Sequence, residues 1–410
     1  MGPLHGIKII DMTSVLMGPF ATLSLGDMGA DVIKIEAPQG DLVREIGPGR
    51  HADMGPIFLN ANRSKRSLVL DLKQAAGREA LLRLAATADV LIYNIRPKAM
   101  ARLGLAYADL KAVNPGIIYV GLVGYGQEGP YADKPAYDDL IQGAVSLPVL
   151  AALAGSDMPR YVPVTLADRT VGLHGVIAVT AALLHRTNTG CGQAIEIPMF
   201  ETMAAMVLAD HMGGHVFAPP SGPAGYPRLL SPNRRPYRTS DGYICALIYT
   251  NRQWAAFFEA IGQAGVTESD PRFATMGSRT EHIDALYQMV ADILQTRSSA
   301  EWLELLQRAD IPVMPLHTPE SLMQDGHLQA VGFFQTTEHP SEGPLRTMGI
   351  PAHWSESQPE ATRHAPRHGE HSVEILREIG YSEDSIRQLM DAGITMDGSA
   401  IPDADARGTA

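Results

Sequence analysis

The sequence contains little cysteine and no long apolar run. Only Cys191 and Cys245 occur among the 410 residues. Two cysteines are too few for a disulfide framework or a zinc cluster and are typical of a reducing compartment. No apolar run approaches the roughly 20 residues that a membrane span needs, and residues 1–8 lack the basic start and apolar core of a signal peptide. We therefore predict a cytoplasmic protein with no membrane partner.

Basic charge is also scarce. The formal net charge is −12, and the acidic residues are dispersed along the chain. Without a basic stripe or patch, the composition argues against a nucleic-acid partner and favours a small molecule. With 410 residues, 45% of them hydrophobic, the chain can bury a large core and is expected to form two domains.

The first part of the chain alternates between strand and helix patterns. Short apolar strands are predicted at residues 6–11, 31–35, 67–72, 90–93 and 117–122, and helices at residues 19–28, 75–86 and 107–113. A long Gly- and Ala-rich helix follows Asp168, and another strand is predicted at residues 193–197. Repeated alternation of this kind predicts an α/β fold with a doubly wound, Rossmann-like parallel sheet.

The second part has a different composition. Residues 213–236 are rich in Gly, Pro, Ser and Arg, which indicates a linker or an active-site loop. A strand at 242–249 and helices at 251–262, 279–296 and 300–309 predict a smaller α+β domain, followed by a return strand at 311–316 and helices at 372–379 and 382–392. We expect a large domain of residues 1–212 and 312–398, a small domain of residues 213–311 and a C-terminal tail of residues 399–410.

Several familiar nucleotide and catalytic motifs are missing. The loop at residues 13–19 follows the first strand, where doubly wound sheets bind ligands, and Glu36 ends the second strand, as the ribose-binding acid does in dinucleotide folds. The glycines of GxGxxG are absent, however, so an NAD-dependent enzyme is a poor alternative. Neither a phosphate-binding P-loop nor a GxSxG nucleophile turn occurs.

Basic residues are grouped near the predicted strand ends. A solvated surface is the usual explanation of such groups, but their placement beside strands of one sheet suits the phosphates of a nucleotide. The group comprises Arg63, Lys65, Arg66, Lys73, Arg96, Lys98 and Arg102. His211 and His215 flank two glycines and are predicted to be ordinary loop or core histidines, so no metal site is expected.

Asp168 lies where the apolar run at 164–167 turns into the long helix. On the local pattern alone it is predicted to be the helix N-cap, since aspartate is among the best capping residues. The unpaired N–H groups and the positive end of the helix dipole are expected to favour its ionised form. Capping is compatible with catalysis, because both require a charged carboxylate.

Several stretches together resemble the class III CoA-transferase family, which includes formyl-CoA transferase, carnitine CoA-transferase and the α-methylacyl-CoA racemases. The matching stretches include LHGIKIIDMTSVLMGPFATLSLGDMGADVIKIEAP, LNANRSKRSLVLDLK, ADVLIYNIRPKAMARLGL, LADRTVGLHGVIAVTAALLHRTNTGCGQAIEIPMFE and APRHGEHSVEIL. They extend through almost the whole chain and are weakest between residues 205 and 310.

The resemblance implies a fold, a substrate and a set of site residues. It implies a large Rossmann-like domain built from both ends of the chain, a small inserted domain and an interlocked homodimer. Coenzyme A or acyl-CoA would be a substrate, with no tightly bound cofactor, and the family's catalytic aspartate matches Asp168. The family's CoA-contacting positions match Ser14, Val15, Leu16, Met17, Leu70, Lys73, Asn94, Ile95, Arg102 and Leu103.

The sequence departs from individual family members at two places. Formyl-CoA transferase has a glutamine where this chain has Leu16, and the glycine-rich lid is poorly matched by SGPAGY at residues 221–226, so formate and oxalate are not expected substrates. The racemases have a histidine where this chain has Tyr137, directly before Asp138. A free phenol has a pKa of about 10 and is therefore a poor base at neutral pH. Racemisation, which needs a second base at this position, is therefore disfavoured. Tyr137 and Asp138 remain auxiliary candidates.

We therefore predict a CoA-transferase that moves CoA from an acyl-CoA donor to a carboxylic acid, in which Asp168 carries an aspartyl-CoA thioester. A dicarboxylic acceptor would need a cation for its distal carboxylate, and Arg44, Arg169, Arg234 and Arg235 are the candidates. The alternatives are a 2-methylacyl-CoA racemase and, more remotely, a CoA-binding protein without catalytic activity.

Overall fold

Six parallel strands form the central sheet. The computed structural model describes residues 1–400 of the chain. In chain order the strands are β1 (Lys8–Met12), β2 (Asp31–Glu36), β3 (Lys65–Val69), β4 (Val90–Tyr93), β5 (Ile118–Val123) and β6 (Ala194–Pro198). They are arranged β3-β2-β1-β4-β5-β6, and every neighbouring pair is parallel. This confirms the predicted parallel α/β sheet. The strand order reverses between β1 and β4, which is where such sheets bind ligands.

Apolar side chains on both faces explain why these segments form central strands. Ile9 and Ile10 of β1 and Leu91 of β4 are fully buried, as expected for parallel strands covered on both sides. Two lysines interrupt this pattern. Lys34 in β2 and Lys65 in β3 are also fully buried, so each needs a partner for its charge.

Helices follow the strands along the chain. From the N-terminus they are α1 (Met17–Asp27), α2 (Pro56–Ala61), α3 (Ala75–Ala85), α4 (Pro97–Arg102), α5 (Tyr107–Val113), α6 (Asp138–Ala144), α7 (Leu147–Leu153), α8 (Leu166–Thr189) and α9 (Met199–His211). They continue with α10 (Asn251–Ala260), α11 (Val266–Ser269), α12 (Met276–Glu281), α13 (Ile283–Leu294), α14 (Ser299–Arg308), α15 (Pro319–Leu322), α16 (Gly326–Ala330), α17 (Ser372–Glu378) and α18 (Glu383–Asp391).

The chain divides into two units. Among the described residues, the first contains Met1–Ile141, Pro163–Ala204 and residues 328–400, and the second contains Gln142–Val162 and Ala205–His327. These boundaries differ from the predicted ones at residues 212 and 312, and the segment 142–162 was not expected in the second unit. Within the first unit, Ile375 of α17 and Leu389 of α18 belong to the same buried cluster as Ile33 and Leu68 of the sheet.

The second unit has a small antiparallel sheet and an aromatic core. Its strands are β7 (Tyr237–Arg238), β8 (Tyr243–Ala246) and β9 (Val313–Pro315), in the order β7-β8-β9. Trp254, Phe257, Phe258 and Trp302 are almost fully buried in its core. Strand β9 corresponds to the predicted return strand. The prediction that this strand returns to the large domain was wrong, because β9 pairs with β8 and completes this small sheet.

Two further segments differ from the predictions. The helix expected at 279–296 is two helices, α12 and α13, since His282 between them has a non-helical backbone conformation. In the first unit, β10 (Phe334–His339) and β11 (Gly343–Met348) form an antiparallel hairpin that the sequence patterns did not predict. The predicted tail begins at Ser399, and its residues 401–410 lie outside the described residues.

Candidate active site

The first loop, residues 13–16 between β1 and α1, lies at the point where the strand order reverses. The side chain of Asn94, just after β4, accepts a hydrogen bond from the Ser14 N–H at 3.0 Å and donates one to the Ser14 carbonyl at 2.8 Å. This reciprocal pair joins the ends of β1 and β4, the two strands that flank the expected crevice. The structure thus brings together two of the predicted CoA-contacting segments.

The predicted N-cap role of Asp168 was wrong. Helix α8 begins at Leu166, and its N-cap residue, Thr165, makes no side-chain capping bond. Asp168 is the third residue of the helix and lies in its first turn. The carboxylate of Asp138 supplies the capping oxygen instead, since its Oδ2 accepts from the N–H of Ala167 at 2.8 Å and of Asp168 at 3.2 Å. A side chain 30 residues upstream therefore caps the helix that bears Asp168.

Burial and a neighbouring negative charge raise the pKa of Asp168 to about 6. Burial is the largest cause, and the negative charge of Asp138 adds to it, whereas Arg169 acts in the opposite direction. The expectation that the helix terminus would favour the ionised form does not decide the outcome, because burial and Asp138 outweigh it. Asp168 is still mostly ionised above pH 7, but it is more basic than an ordinary aspartate.

Helix α8 packs closely on helix α1 just after Asp168. A Cβ atom at Gly172 would lie 2.8 Å from the backbone oxygen of Met17 and 2.9 Å from the ring of Phe20, so this approach requires glycine. The guanidinium of Arg169 lies 4.7 Å from the centre of the same Phe20 ring. These contacts place the first turn of α8 against the start of α1, which follows the first loop directly.

The predicted CoA-contacting residues differ in what they can offer to a ligand. Ser14, Val15, Asn94, Ile95 and Leu103 are partly exposed, and Lys73 and Arg102 are exposed. Leu16, Met17 and Leu70 are buried, with Leu70 in the main core cluster. Contacts from these three would therefore use backbone atoms, and positive charge would come from Lys73 and Arg102.

Three members of the predicted phosphate-binding group are committed to other partners. Arg63 pairs with Asp27 at 2.8 Å, and Arg66 pairs with Asp31 at 2.6 Å. Lys65 is fully buried and pairs with Asp11 at 3.1 Å. The expectation that all seven basic residues would be available was wrong, because these three neutralise carboxylates within the fold.

Lys98 also has a partner in the described structure. It pairs with Asp133 at 2.5 Å, and both side chains are largely exposed. Lys73, Arg96 and Arg102 are exposed and have no such ion pair among residues 1–400. They remain the candidates for phosphate.

Arg44 and Glu36 form a buried pair. The guanidinium of Arg44 bonds both carboxylate oxygens of Glu36 at 2.7 Å and stacks on the ring of Phe58. Although burial alone would raise it, the pKa of Glu36 falls to about 2 because of the charge and hydrogen bonds of Arg44. Arg44 is therefore not available to a substrate carboxylate, so the expectation that it could bind one was wrong. Glu36 is likewise not available to a ribose.

The other candidate side chains occupy different surroundings. Tyr137 is 68% exposed and lies directly before α6. Arg169 is partly exposed and adjoins Asp168, whereas Arg234 and Arg235 are exposed residues of the second unit. His211 accepts a hydrogen bond from the N–H of Tyr226, and no group of three potential ligands within residues 1–400 is arranged to hold a metal.

Two residues of the site were missed in the sequence. Asp41 accepts a hydrogen bond from the Val15 N–H at 3.1 Å, and Lys34 donates to the Thr13 carbonyl at 2.8 Å. The only signal for Lys34 is a charge within the apolar strand VIKIE, which implies a buried partner. Asp41 lies in an irregular segment and has no pattern of its own.

Helix α8 is long and apolar enough to cross a membrane by length and composition alone, and it is the one such helix in the described part of the chain. In its most apolar window, 44% of the residues are buried within the protein. A core helix passes the same test.

Known proteins resemble this chain over nearly its full length. Residues 4–372 match the model of CoA-transferase family III. The succinate–glutarate CoA-transferase of Agrobacterium fabrum is 32% identical, with 92% of this chain and 96% of that protein aligned. The formyl-CoA:oxalate CoA-transferase of Streptomyces avermitilis is 31% identical, with 95% and 99% aligned.

A solved structure shares the fold. The crystal structure of a CAIB/BAIF family protein from Brucella suis superimposes with a TM-score of 0.77 at 30% sequence identity. The match covers 92% of this chain and 99% of that one. Similarity in sequence and in structure therefore extends beyond the parallel sheet to almost the whole chain.

Proposed function

The chain belongs to CoA-transferase family III, and from this premise we propose that it moves CoA from an acyl-CoA donor to a carboxylic acid through a thioester of Asp168. The observation that carries the proposal is a partly buried carboxylate in the first turn of α8, whose pKa is raised to about 6. Helix α8 packs on the start of α1, directly after the first loop. The match of Asp168 to the family's catalytic aspartate, implied by the resemblance, supports the proposal.

The first half-reaction transfers CoA to the protein. A carboxylate oxygen of Asp168 attacks the thioester carbonyl of the donor, the C–S bond breaks, and a mixed anhydride and CoA thiolate form. The thiolate then attacks the aspartyl carbonyl, and the C–O bond to the donor acid breaks. The donor leaves as a carboxylate, and Asp168 holds CoA as a thioester.

The second half-reaction repeats these steps in reverse order with the acceptor. The acceptor carboxylate attacks the aspartyl thioester and expels CoA thiolate, which then attacks the acceptor carbonyl of the new anhydride. The products are the acceptor's CoA thioester and a free Asp168 carboxylate. No proton is consumed and the thioester energy is retained, provided that water is excluded.

A raised pKa suits Asp168 to this task. At pH 7.5 a group with a pKa of about 6 is almost entirely ionised, so the nucleophile is present in its active form. Its greater basicity makes it more nucleophilic than an ordinary aspartate, since nucleophilicity rises with basicity within one class of group. Asp138 contributes to the raised pKa of Asp168 by its charge. It also caps the helix that carries Asp168.

The exposed basic residues near the strand ends are assigned to the phosphates of CoA. Lys73 follows β3, Arg96 follows β4, and Arg102 ends α4. In a parallel sheet the strand ends lie along one edge, so β3 and β4 present these cations on the same side as the first loop. Charge-assisted hydrogen bonds from Arg and Lys are the usual means of holding phosphate.

We assign a dicarboxylic acid as the acceptor. Support comes from a relative named as a succinate–glutarate CoA-transferase and from Leu16, which replaces the glutamine of formyl-CoA transferase. Arg169 is the candidate for the distal carboxylate, because it adjoins Asp168 and has no ion pair within residues 1–400.

The proposal also includes a cytoplasmic homodimer. Helix α8 exposes Leu173, Ile177 and Leu184, which are 51%, 61% and 63% exposed. Their spacing places Leu173 and Ile177 one turn apart on the helix surface. An apolar face of this size on one helix is suited to burial against a second copy of the chain.

The function is tested by mixing the enzyme with succinyl-CoA and a panel of mono- and dicarboxylic acids. New acyl-CoA should appear with dicarboxylates, and its formation should be lost in Asp168→Asn. It should be retained in Asp139→Asn, which changes an exposed aspartate next to Asp138. Arg169→Ala should raise the KM for dicarboxylates more than for monocarboxylates. No transfer to any acid would contradict the proposal.

The two alternatives give different results in the same preparation. A racemase would exchange the α-proton of a 2-methylacyl-CoA with deuterium when no acceptor is present. A CoA-binding protein without activity would bind CoA and give neither signal. The exposed Tyr137 does not provide the second base that racemisation needs, so transfer without exchange is expected.

A further inference from the structure

A buried ion pair lies beneath the first loop. The side chains of Lys34 and Asp41 are 1% and 2% exposed, and Lys34 Nζ lies 2.8 Å from Asp41 Oδ2. Lys34 also donates to the Thr13 carbonyl at 2.8 Å. Because removing two charges from water is costly, a buried ion pair is weak support for stability. Its contribution is instead to the first loop, which Lys34 contacts at Thr13 and Asp41 contacts at Val15.

The residue held by Asp41 has an unusual backbone conformation. Val15 has a φ of +67°, in the left-handed region. A β-branched residue is rarely found there, because its Cβ crowds the backbone. Such a conformation persists only where neighbouring groups impose it, and it is often found at binding sites.

Three consecutive residues of the first loop are held by three different side chains. Lys34 bonds the carbonyl of Thr13, Asn94 bonds both the N–H and the carbonyl of Ser14, and Asp41 Oδ1 accepts from the Val15 N–H at 3.1 Å. Asp41 Oδ1 also accepts from the N–H of Val43 at 3.3 Å. The two oxygens of Asp41 thus serve Lys34 on one side and the loop on the other.

We propose that Asp41 is a positioning residue for CoA binding: compensated by Lys34, its carboxylate holds Val15 in the left-handed conformation in which the first loop recognises CoA. The inference rests on the proposed function and on the family resemblance, which matches residues 14–17 to CoA-contacting positions. Asp41 acts through Val15 and not on the reacting atoms. Without this hydrogen bond the loop populates other conformations, and CoA binds only to the fraction that remains competent.

The charge of Lys34 is maintained by its surroundings. Burial alone would lower the pKa of Lys34, but the carboxylates of Asp11, Asp41 and Glu36 raise it above its usual value. The ammonium group therefore stays charged and needs Asp41 Oδ2 as its hydrogen-bond acceptor. In Asp41→Asn an NH2 group replaces one of the two carboxylate oxygens. Because it can only donate, either Lys34 or Val15 loses its acceptor, so this nearly isosteric variant also disturbs the loop.

The test measures CoA affinity by calorimetry, with free CoA as the probe. We expect Asp41→Ala to weaken CoA binding about tenfold, and Val15→Gly alone is measured as the reference for the double variant. Adding Val15→Gly to Asp41→Ala should restore most of the affinity, because glycine adopts a positive φ without a Cβ clash. Asp27→Ala, which breaks the pair with Arg63 at the other end of α1, is the control for general destabilisation.

The outcomes separate the inference from the proposed function. Absence of CoA binding by the wild-type protein would contradict the proposed function itself. Normal binding by wild type and by Asp41→Ala, or no recovery in the double variant, would overturn the role of Asp41. If Asp41→Ala is not recovered folded, Asp41→Asn takes its place in the same comparison. Failure of both to fold, with or without Val15→Gly, would show a structural role only and would also overturn it.

Discussion

The carboxylate of Asp138 accepts a hydrogen bond from the backbone N–H of Asp168, at 3.2 Å. One carboxylate thus caps the helix that carries the other, and its charge also contributes to the raised pKa of Asp168. The helix terminus satisfies the Asp138 side chain and leaves the Asp168 side chain free of a capping role. Two acidic residues 30 positions apart in sequence therefore differ in role. Asp138 caps the helix and raises the pKa of Asp168, and Asp168 is the proposed nucleophile.

Replacing Asp138 by asparagine should move the acid limb of the pH–rate profile. In the wild type, kcat/KM is expected to fall as the pH drops through about 6, because Asp168 becomes protonated. The amide oxygen of Asp138→Asn can still cap α8, but the negative charge is gone, so the pKa of Asp168 falls and the limb shifts to lower pH. Asp139→Asn, at the adjacent exposed position, should leave the limb in place, and an unshifted limb in both variants would refute this electrostatic role.

Replacing Asp168 by asparagine should stabilise the fold at alkaline pH. The folded-state pKa of about 6 is above the ordinary value, so the folded protein binds a proton more readily than the unfolded chain. The ionised carboxylate therefore costs stability above pH 6, and this cost disappears as the pH falls towards 4. Urea unfolding should show a gain of about 1 kcal/mol at pH 8, after solvent screening is allowed for, and a smaller gain at pH 5. A gain that does not depend on pH would contradict the prediction.

Gly172→Ala should separate α8 from α1. The added Cβ would lie 2.8 Å from the Met17 backbone oxygen, which cannot move independently of the helix. Overpacking of this kind costs about 1–3 kcal/mol and should also reduce transfer, since the first turn of α8 moves with the contact. Gly175→Ala meets the flexible end of Leu122 at 3.3 Å and should have a milder effect on melting temperature and rate. Equal effects of the two variants would argue against a close contact at Gly172.

Charges on the exposed face of α8 should prevent self-association. Leu173→Glu combined with Ile177→Glu places two carboxylates on the apolar face, which should convert a dimer to a monomer in analytical ultracentrifugation. Asn188→Asp, at an exposed polar position of the same helix, is the control and should remain dimeric. A wild-type protein that sediments as a monomer would refute the homodimer.

The parallel sheet could be predicted because its signals are local. Strands β1, β2 and β4 are short apolar runs separated by helical patterns, and their observed bounds agree with the predicted ones to within about two residues. The second unit was less accessible. Strand β9 has only three residues, and its pairing with β8 depends on contacts about 70 positions apart, which no local pattern records.

Candidate site residues could be named from the sequence, but their arrangement could not. The first loop, Asn94 and Asp168 could be singled out by motif, whereas the capping of α8 by Asp138 depends on a contact across 30 residues. The ion-pair partners of Arg44, Lys65 and Arg66 were missed for the same reason. A basic residue near a strand end looks alike in sequence whether it faces a phosphate or a buried carboxylate.

The most direct test of the account is to trap the covalent intermediate. The enzyme is incubated with succinyl-CoA without an acceptor, treated with hydroxylamine and digested, and the peptide containing Asp168 is analysed by mass spectrometry. A hydroxamate is expected on Asp168, and it should be absent without succinyl-CoA and absent in Asp168→Asn. An unmodified Asp168 peptide from an enzyme that still transfers CoA would contradict the aspartyl thioester.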